Sequence, residues 1–229
     1  MRLLNDFISL FFPRTCMACG NNLFNNENVI CTSCLFHLPK TNFHNDKDNP
    51  VSKVFWGRVS IKSATAYYYY RKGGKAQHLI HQMKYKEHKE IGIFLGELYG
   101  FELSETPDYN TIDTIIPIPL HKKKQQKRGF NQAEMFATGL ANSMSVTMDS
   151  TTVFRDVETS TQTKKSRYKR WENVSDIFKL KDPDILKGKH VLVVDDVITT
   201  GATMEACVQT LQKVPEITIS VASIAFASH

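Results

Sequence analysis

The sequence predicts an α/β protein, a parallel-sheet core with helices on both faces and a small metal-binding ribbon ahead of it. Three observations predict it. Val191–Val194 is an uninterrupted apolar run, as a buried parallel strand shows, and a polar loop and a helical repeat come after it. Ile112–Ile118 opens a second unit in the same order of strand, loop and helix. Before both, Cys16-x-x-Cys19 and Cys31-x-x-Cys34 are separated by eleven residues, a spacing at which two knuckles converge on one tetrahedral ion.

At the start of the chain, Met1–Phe12 is apolar but too short and too interrupted for a membrane span, and it lacks a small-residue cleavage site. It reads as a short amphipathic helix packed on the main domain of a cytoplasmic protein. In that compartment cysteines stay reduced, so the four cysteines suit a closed, structural Zn²⁺ site rather than disulfides. The polar stretch 41–53, with Asn49 and Pro50, reads as a linker. The predicted organisation is thus helix and ribbon over 1–40, linker over 41–53 and α/β domain over 54–229. Val59–Tyr70 is rich in β-branched and aromatic residues and reads as one or two strands ending at Gly73-Gly74. The run Tyr67–Tyr70 fits packing on both sheet faces better than a platform for bases. Lys75–Tyr85 and the stretch carrying Ile91, Phe94, Leu95, Leu98 and Tyr99 read as helices. Asn131 and Glu134 stand three apart as a capping box for a helix through Leu140. Ile217–Phe226 reads as the last strand.

Charge is local. The chain of 229 residues carries a formal +6, and two windows without acids, His121–Arg128 and Lys164–Arg170, hold five Lys/Arg each. The other 19 basic residues face 23 acidic ones. Such clustering points to an anionic ligand, a polyphosphate or a nucleic-acid backbone. The window at 121–128 reads as a cationic loop, and Arg155–Trp171 as a mobile cationic flap.

The organising stretch is Val-Leu-Val-Val-Asp-Asp-Val-Ile-Thr-Thr-Gly-Ala-Thr, 191–203. A loop of Thr199, Thr200, Gly201, Ala202 and Thr203 at a helix N-terminus offers N–H groups, hydroxyls and a positive dipole end to a phosphate. Asp195 and Asp196 would repel that phosphate, so they face hydroxyls or cations beside it, and a sugar phosphate satisfies both halves. A nucleotide hydrolase needs a Gly-x-x-x-x-Gly-Lys-[Ser/Thr] loop and a dinucleotide fold needs Gly-x-Gly-x-x-Gly; neither is present.

The 191–203 stretch resembles the phosphoribosyl pyrophosphate (PRPP) motif of type I phosphoribosyltransferases. Pro117–His121, Arg128-Gly129-Phe130-Asn131-Gln132, Ile80–Tyr85, Gln162, Arg170, Asn173-Val174 and the four cysteines resemble the ComF family of late-competence, amidophosphoribosyltransferase-like proteins. The resemblance implies a type I phosphoribosyltransferase fold binding Mg²⁺ with PRPP. It implies that Asp195 and Asp196 bond the ribose hydroxyls and that Thr199–Thr203 hold the 5′-phosphate. Lys84, Lys122, Lys123, Lys124 and Arg128 are then candidates for the pyrophosphate, and Gln162, Arg170 and Asn173 for the flap. Two functions are open. One is transfer of 5-phosphoribosyl to an unidentified nitrogenous acceptor, with pyrophosphate released. The other is a non-catalytic, PRPP-responsive protein that binds single-stranded DNA during DNA uptake.

Overall fold

The computed structural model describes residues 13–155 and 177–227. The helix expected at 1–12 and the flap residues Gln162, Arg170 and Asn173 lie outside the described residues. The core is a five-stranded sheet in the order β1 (Ser63–Tyr69), β7 (Thr218–Phe226), β6 (His190–Ile198), β2 (Thr114–Pro117), β3 (Thr147–Met148). Every neighbouring pair is parallel. The fold is therefore the α/β parallel-sheet class that the sequence predicts.

The central strand is β6. Val191 to Val194 are fully buried, which is why this run is apolar without alternation. Leu192 and Val194 face a layer that contains α3 (Lys75–Tyr85), α4 (Lys89–Ser104) and α6 (Gln132–Met144); Val191 and Val193 face α2 (Pro50–Phe55) and α7 (Ala202–Leu211). The chain leaves β2 through α6 towards β3, and leaves β6 through α7 towards β7. The two crossovers diverge between β2 and β6, so the carboxyl ends of these strands form a topological switch point, the place where open α/β sheets bind ligands. Pro117 lies in register with Val194, so the segments leaving the two strands start side by side there.

Helices α4 and α6 cross through glycine. A Cβ on Gly139 would stand 2.0 Å from the Ile93 carbonyl oxygen, and one on Gly96 would stand 2.3 Å from that of Phe136. The contact is backbone on backbone. Among the described residues no helix is long and apolar enough to cross a membrane.

The 41–53 stretch differs from a linker. It forms a 3₁₀ turn at Phe43–Asn45 and the start of α2. Asn49 is buried; its Oδ1 accepts from the N–H groups of Val51 and Ser52 at 2.8 and 3.0 Å, and its Nδ2 donates to the Ala64 carbonyl at 2.7 Å. Phe43 packs edge-on against Tyr69 and Phe226. The polar composition is real, but Asn49 among these residues caps α2 and ties it to β1. The ribbon, with α1 (Thr32–His37), shares a core with the domain: Cys16, Ile30 and Cys34 are buried in one cluster with Tyr67 and Leu79. Tyr67 and Tyr68 are buried too, Tyr67 stacking on Tyr99 at 4.4 Å, as the packing reading requires.

Candidate functional site

Strand β6 does not end at the acidic pair. It continues to Ile198, with Asp195 in register with Ser223 on β7. Successive residues of a strand face opposite ways, and the surroundings of the two aspartates agree. Asp196 meets Lys84 of α3, while the charge of Asp195 acts on Cys207 of α7. Thr199, Thr200 and Gly201 form the loop, and Ala202 and Thr203 already belong to the first turn of α7. The expected five-residue loop is therefore three residues plus two helical ones. Gly201 holds φ at +73° and no side chain caps the helix. Thr199, Thr200, Ala202 and Thr203 are exposed, so the N–H groups of this end remain open to an anion.

The acidic pair is paired with one lysine and feels the charge of two further cations. Lys84 Nζ lies 2.9 Å from both carboxylate oxygens of Asp196, which is almost fully buried. Asp195 accepts a 2.7 Å hydrogen bond from the Asp196 N–H. Its carboxyl is pushed up to about 7, by burial first and by the charge of Asp196 second; Lys84 and Lys124 pull it back only in part. Arg155, at the end of β4 (Val153–Arg155), also feels the Asp195 charge, and burial lowers its own basicity. Three elements, α3, α5 (Lys122–Arg128) and β4, thus bring positive charge to two carboxylates at a strand end.

The cationic window is a helix, not a loop. Seven residues, Lys122–Arg128, form α5, with His121 Nδ1 accepting from the Lys123 N–H and Gly129 ending the helix at φ +75°. Lys123, Lys124 and Lys127 are exposed. Arg128 is engaged elsewhere, donating to Gln132 Oε1 at 2.7 Å and lying 5.9 Å from the Tyr85 ring centre. The side chain of Lys122 falls outside the described residues. Of the pyrophosphate candidates, Lys84 contacts the acidic pair, and the charge of Lys124 is felt at Asp195. Asn131 caps α6 as expected, accepting from the Ala133 N–H at 3.1 Å, and its Nδ2 also donates to the Ile118 carbonyl. Strands β4 and β5 (Phe178–Leu180) pair antiparallel on either side of 156–176.

The four thiols converge. The Sγ atoms of Cys16, Cys19, Cys31 and Cys34 all lie within 4.8 Å of one another. Cys19 and Cys31 are 3.9 Å apart, close to the roughly 3.8 Å separating two sulfurs on a tetrahedral Zn²⁺ with Zn–S bonds of about 2.3 Å. Burial would raise the Cys16 thiol, but N–H groups of Cys31, Ala18 and Cys19 outweigh it and bring Cys16 down to about 7. The cluster has the spacing and the donor chemistry of a closed zinc site.

Two contributors escape a reading of the sequence. Arg58, beyond the end of α2, donates to the Thr200 carbonyl at 2.9 Å and pairs with Glu205 in the first turn of α7. Its partners are 142 and 147 residues away, so no local pattern announces it. A Cβ on Gly201 would fall 2.6 Å from Val54 Cγ1, so α2 also backs the loop. Here a local signal exists, since Asn49-Pro50 is an N-cap followed by proline at the first helical position. The second contributor is Arg155, which the sequence marks only as the start of a basic stretch.

Residues 130–228, which run from before α6 through β7, match the phosphoribosyl transferase domain model. The DNA utilization protein YhgH of Shigella flexneri is 34% identical over 146 residues, 62% of this chain and 63% of that protein. Competence protein F of Haemophilus influenzae is 33% identical over 102 residues, 44% of each. This chain thus spans less than two thirds of the length of the curated relatives it matches. A crystal structure of adenine phosphoribosyltransferase aligns over 62% of this chain and 73% of that one, at 19% identity and a TM-score of 0.42. The chain carries a phosphoribosyltransferase domain and is homologous to the DNA utilization and competence F proteins, the relationship that the ComF resemblance implies.

Proposed function

We propose that this protein binds PRPP with Mg²⁺ and transfers its 5-phosphoribosyl group to a nitrogen nucleophile, releasing pyrophosphate. The observation that carries the reading is the junction of Asp195-Asp196 with the uncapped start of α7, with Lys84 paired to Asp196. The start of α7 takes the 5′-phosphate on the N–H groups around Thr199–Thr203. Asp195 and Asp196 accept from the ribose hydroxyls. Displacement at C1 builds positive charge on the sugar and negative charge on the departing oxygens. The carboxylates stabilise the first; Lys84 and Lys124 stabilise the second. The residues fit a divalent cation: burial and, after it, the charge of Asp196 hold the Asp195 carboxyl up to about 7, a charge cost that a bound cation lowers, and carboxylate oxygens suit Mg²⁺. Bound with PRPP, Mg²⁺ would neutralise pyrophosphate charge. The four-cysteine ribbon holds structural Zn²⁺, away from the chemistry. The experiment is pyrophosphate release from Mg–PRPP across a panel of bases and amines, with Asp195→Asn/Asp196→Asn as control. Release that needs one acceptor and disappears in the double variant supports the transferase. PRPP binding without release on any acceptor overturns turnover and leaves binding.

A second reading is favoured by one observation: Lys123, Lys124 and Lys127 stand exposed on α5, with no acid in the helix. They suit the phosphates of single-stranded DNA, in keeping with the printed names of the relatives. Oligonucleotide affinity carried by them falls steeply with salt. No binding at low salt removes this reading.

A further inference from the structure

A cleft of about 480 Å³ opens between α2, the segment 56–62 and the start of β1, walled by Lys47, Ser52, Phe55, Trp56, Lys62 and Ser63. Small-molecule sites have this size, roughly 300–1,000 Å³. Its wall holds a polar group that the fold leaves over. Ser52 is 6% exposed, and its Oγ has no hydrogen-bond partner among the described residues. The Ser63 hydroxyl is unpartnered too, though that of Tyr109 is near it. A buried hydroxyl without a partner is costly, and a ligand atom that completes it removes the cost. The cations of the wall are also underused. Lys62 Nζ donates to a neutral oxygen, Thr111 Oγ1, at 3.1 Å. Lys47 meets Asp108 at 3.4 Å in an exposed pair, which holds it weakly. Trp56 adds an exposed indole, and Asp48 adds one carboxylate.

We infer that this cleft is a second ligand site, for a nucleoside monophosphate: the base lies on Trp56, Asp48 accepts from the ribose hydroxyls, Lys47 and Lys62 meet the phosphate, and Ser52 bonds a polar group of the ligand. An inorganic anion would use the lysines alone, and a free base the indole alone. The site has a route to the start of α7. Phe55 walls the cleft, and its ring stands 3.2 Å from where a Cβ on Gly201 would lie. The segment 56–62 also carries Arg58, which holds the Thr200 carbonyl. An occupant therefore braces the ring and the segment that back the loop. A loop already braced loses less freedom when its own ligand arrives. Resting on the proposed PRPP reading, the two ligands tighten each other's binding, by one and the same factor.

The test is a fluorescence titration of the full chain with AMP, adenosine and inorganic phosphate. It is made in Trp171→Phe, where Trp56 is the one tryptophan left, and saturating Mg–PRPP keeps AMP out of the site at the strand ends. AMP is expected to quench Trp56 saturably, with adenosine and phosphate each binding at least tenfold more weakly. Adding Ser52→Ala weakens AMP severalfold and leaves the melting temperature level or higher, since the hydroxyl has no partner to lose. Adding Lys62→Ala weakens AMP at least tenfold. Without PRPP, AMP binds the cleft at least threefold more weakly. No saturable quench at millimolar AMP overturns the site, as does a quench that survives Lys62→Ala. A Ser52→Ala variant that melts lower and binds AMP as before makes the hydroxyl structural and overturns its role; should it fail to fold, Lys62→Ala, at an exposed lysine, decides alone. AMP affinity indifferent to PRPP, in a protein that binds PRPP, overturns the coupling. Failure to bind PRPP at all sinks the proposed function instead, and the cleft is then read by AMP alone.

Discussion

The Arg58 guanidinium donates a 2.9 Å hydrogen bond to the Thr200 carbonyl and pairs with the Glu205 carboxylate, so one side chain both fixes the loop and neutralises an acid beside it. Glu205 sits in the first turn of α7. An acid there is good for an isolated helix but opposes an incoming phosphate. Arg58 resolves the conflict from outside the helix.

Arg58→Ala therefore weakens the phosphate site more than it weakens the fold. The pair is partly exposed, so its own contribution to stability is only about 0–1 kcal/mol. The unmasked Glu205 and the loosened Thr200 act directly on the ligand. The expected result is a PRPP dissociation constant raised roughly tenfold, about 1.4 kcal/mol, with melting temperature changed by a few degrees at most. Arg58→Ala/Glu205→Gln recovers part of the affinity. Calorimetric titration and a melt check both, and an Arg58→Ala variant with wild-type affinity removes the role.

Asp195 gives the site a pH dependence whose sign is fixed. Its ordinary value is 3.8 and in the fold it is pushed up to about 7. The folded chain holds a proton that the unfolded chain has released, so this carboxyl makes stability fall as pH rises from 3.8 to about 7. Asp195→Asn abolishes that slope. The variant gains melting temperature relative to wild type between pH 4 and pH 8, the gain saturating above about 7. Ligand binding has the opposite sign, because hydroxyls and Mg²⁺ prefer the carboxylate. PRPP affinity rises with pH up to about 7 in wild type, and binding at pH 6 releases a proton. Titrations in two buffers of different ionisation heat measure it; an equal heat in both contradicts the assignment.

Why some of this is legible in the sequence and some is not has physical causes. Val191–Val194, its loop and α7 announce themselves because burial on both faces forces an apolar run and helix periodicity comes directly after it. The helix α5 does not, since Lys122–Arg128 contains only lysine, glutamine and arginine and has no apolar face to create a period. Its one signal is Gly129, a glycine just past the last turn. The stretch 41–53 misleads because one of its polar residues, Asn49, is turned inward to α2 and β1 and Phe43 and Val51 are buried with it, and composition does not show direction. Lys84 is picked out by resemblance, but its partner Asp196 is 112 residues away, so the ion pair needs the fold. The crossing at Gly96 and Gly139 is likewise invisible, because a glycine in a helix looks like a weakness until the second helix is in place.

That crossing makes a stability prediction. Gly139→Ala adds a Cβ only 2.0 Å from the Ile93 carbonyl oxygen, and the obstacle is backbone. Neither helix can yield by turning a side chain. The better helix propensity of alanine, about 1 kcal/mol, is outweighed, since the two axes must part and α4 and α6 lose contact along their length. The expected cost is at the upper end of the roughly 1–3 kcal/mol of overpacking, a fall in melting temperature of about 2–4 °C for each kcal/mol. A variant as stable as wild type would mean the helices do not meet at this distance.

The ribbon gives the last prediction. Cys16 accepts from the N–H groups of Ala18 and Cys31 and is buried with Ile30, Cys34, Tyr67 and Leu79. Loss of the ion leaves four converging sulfurs without the cation that ties them together, in contact with the domain core. Elemental analysis is expected to find one equivalent of zinc in wild type and to find it lost in Cys16→Ser. The melt should move down as one transition, because ribbon and domain share a buried cluster. PRPP affinity should be retained below that transition, since the ligands proposed for it lie on β6, α3, α5 and α7. Retained zinc in Cys16→Ser removes the four-thiolate site, and a separate early transition would show a ribbon that melts independently of the sheet.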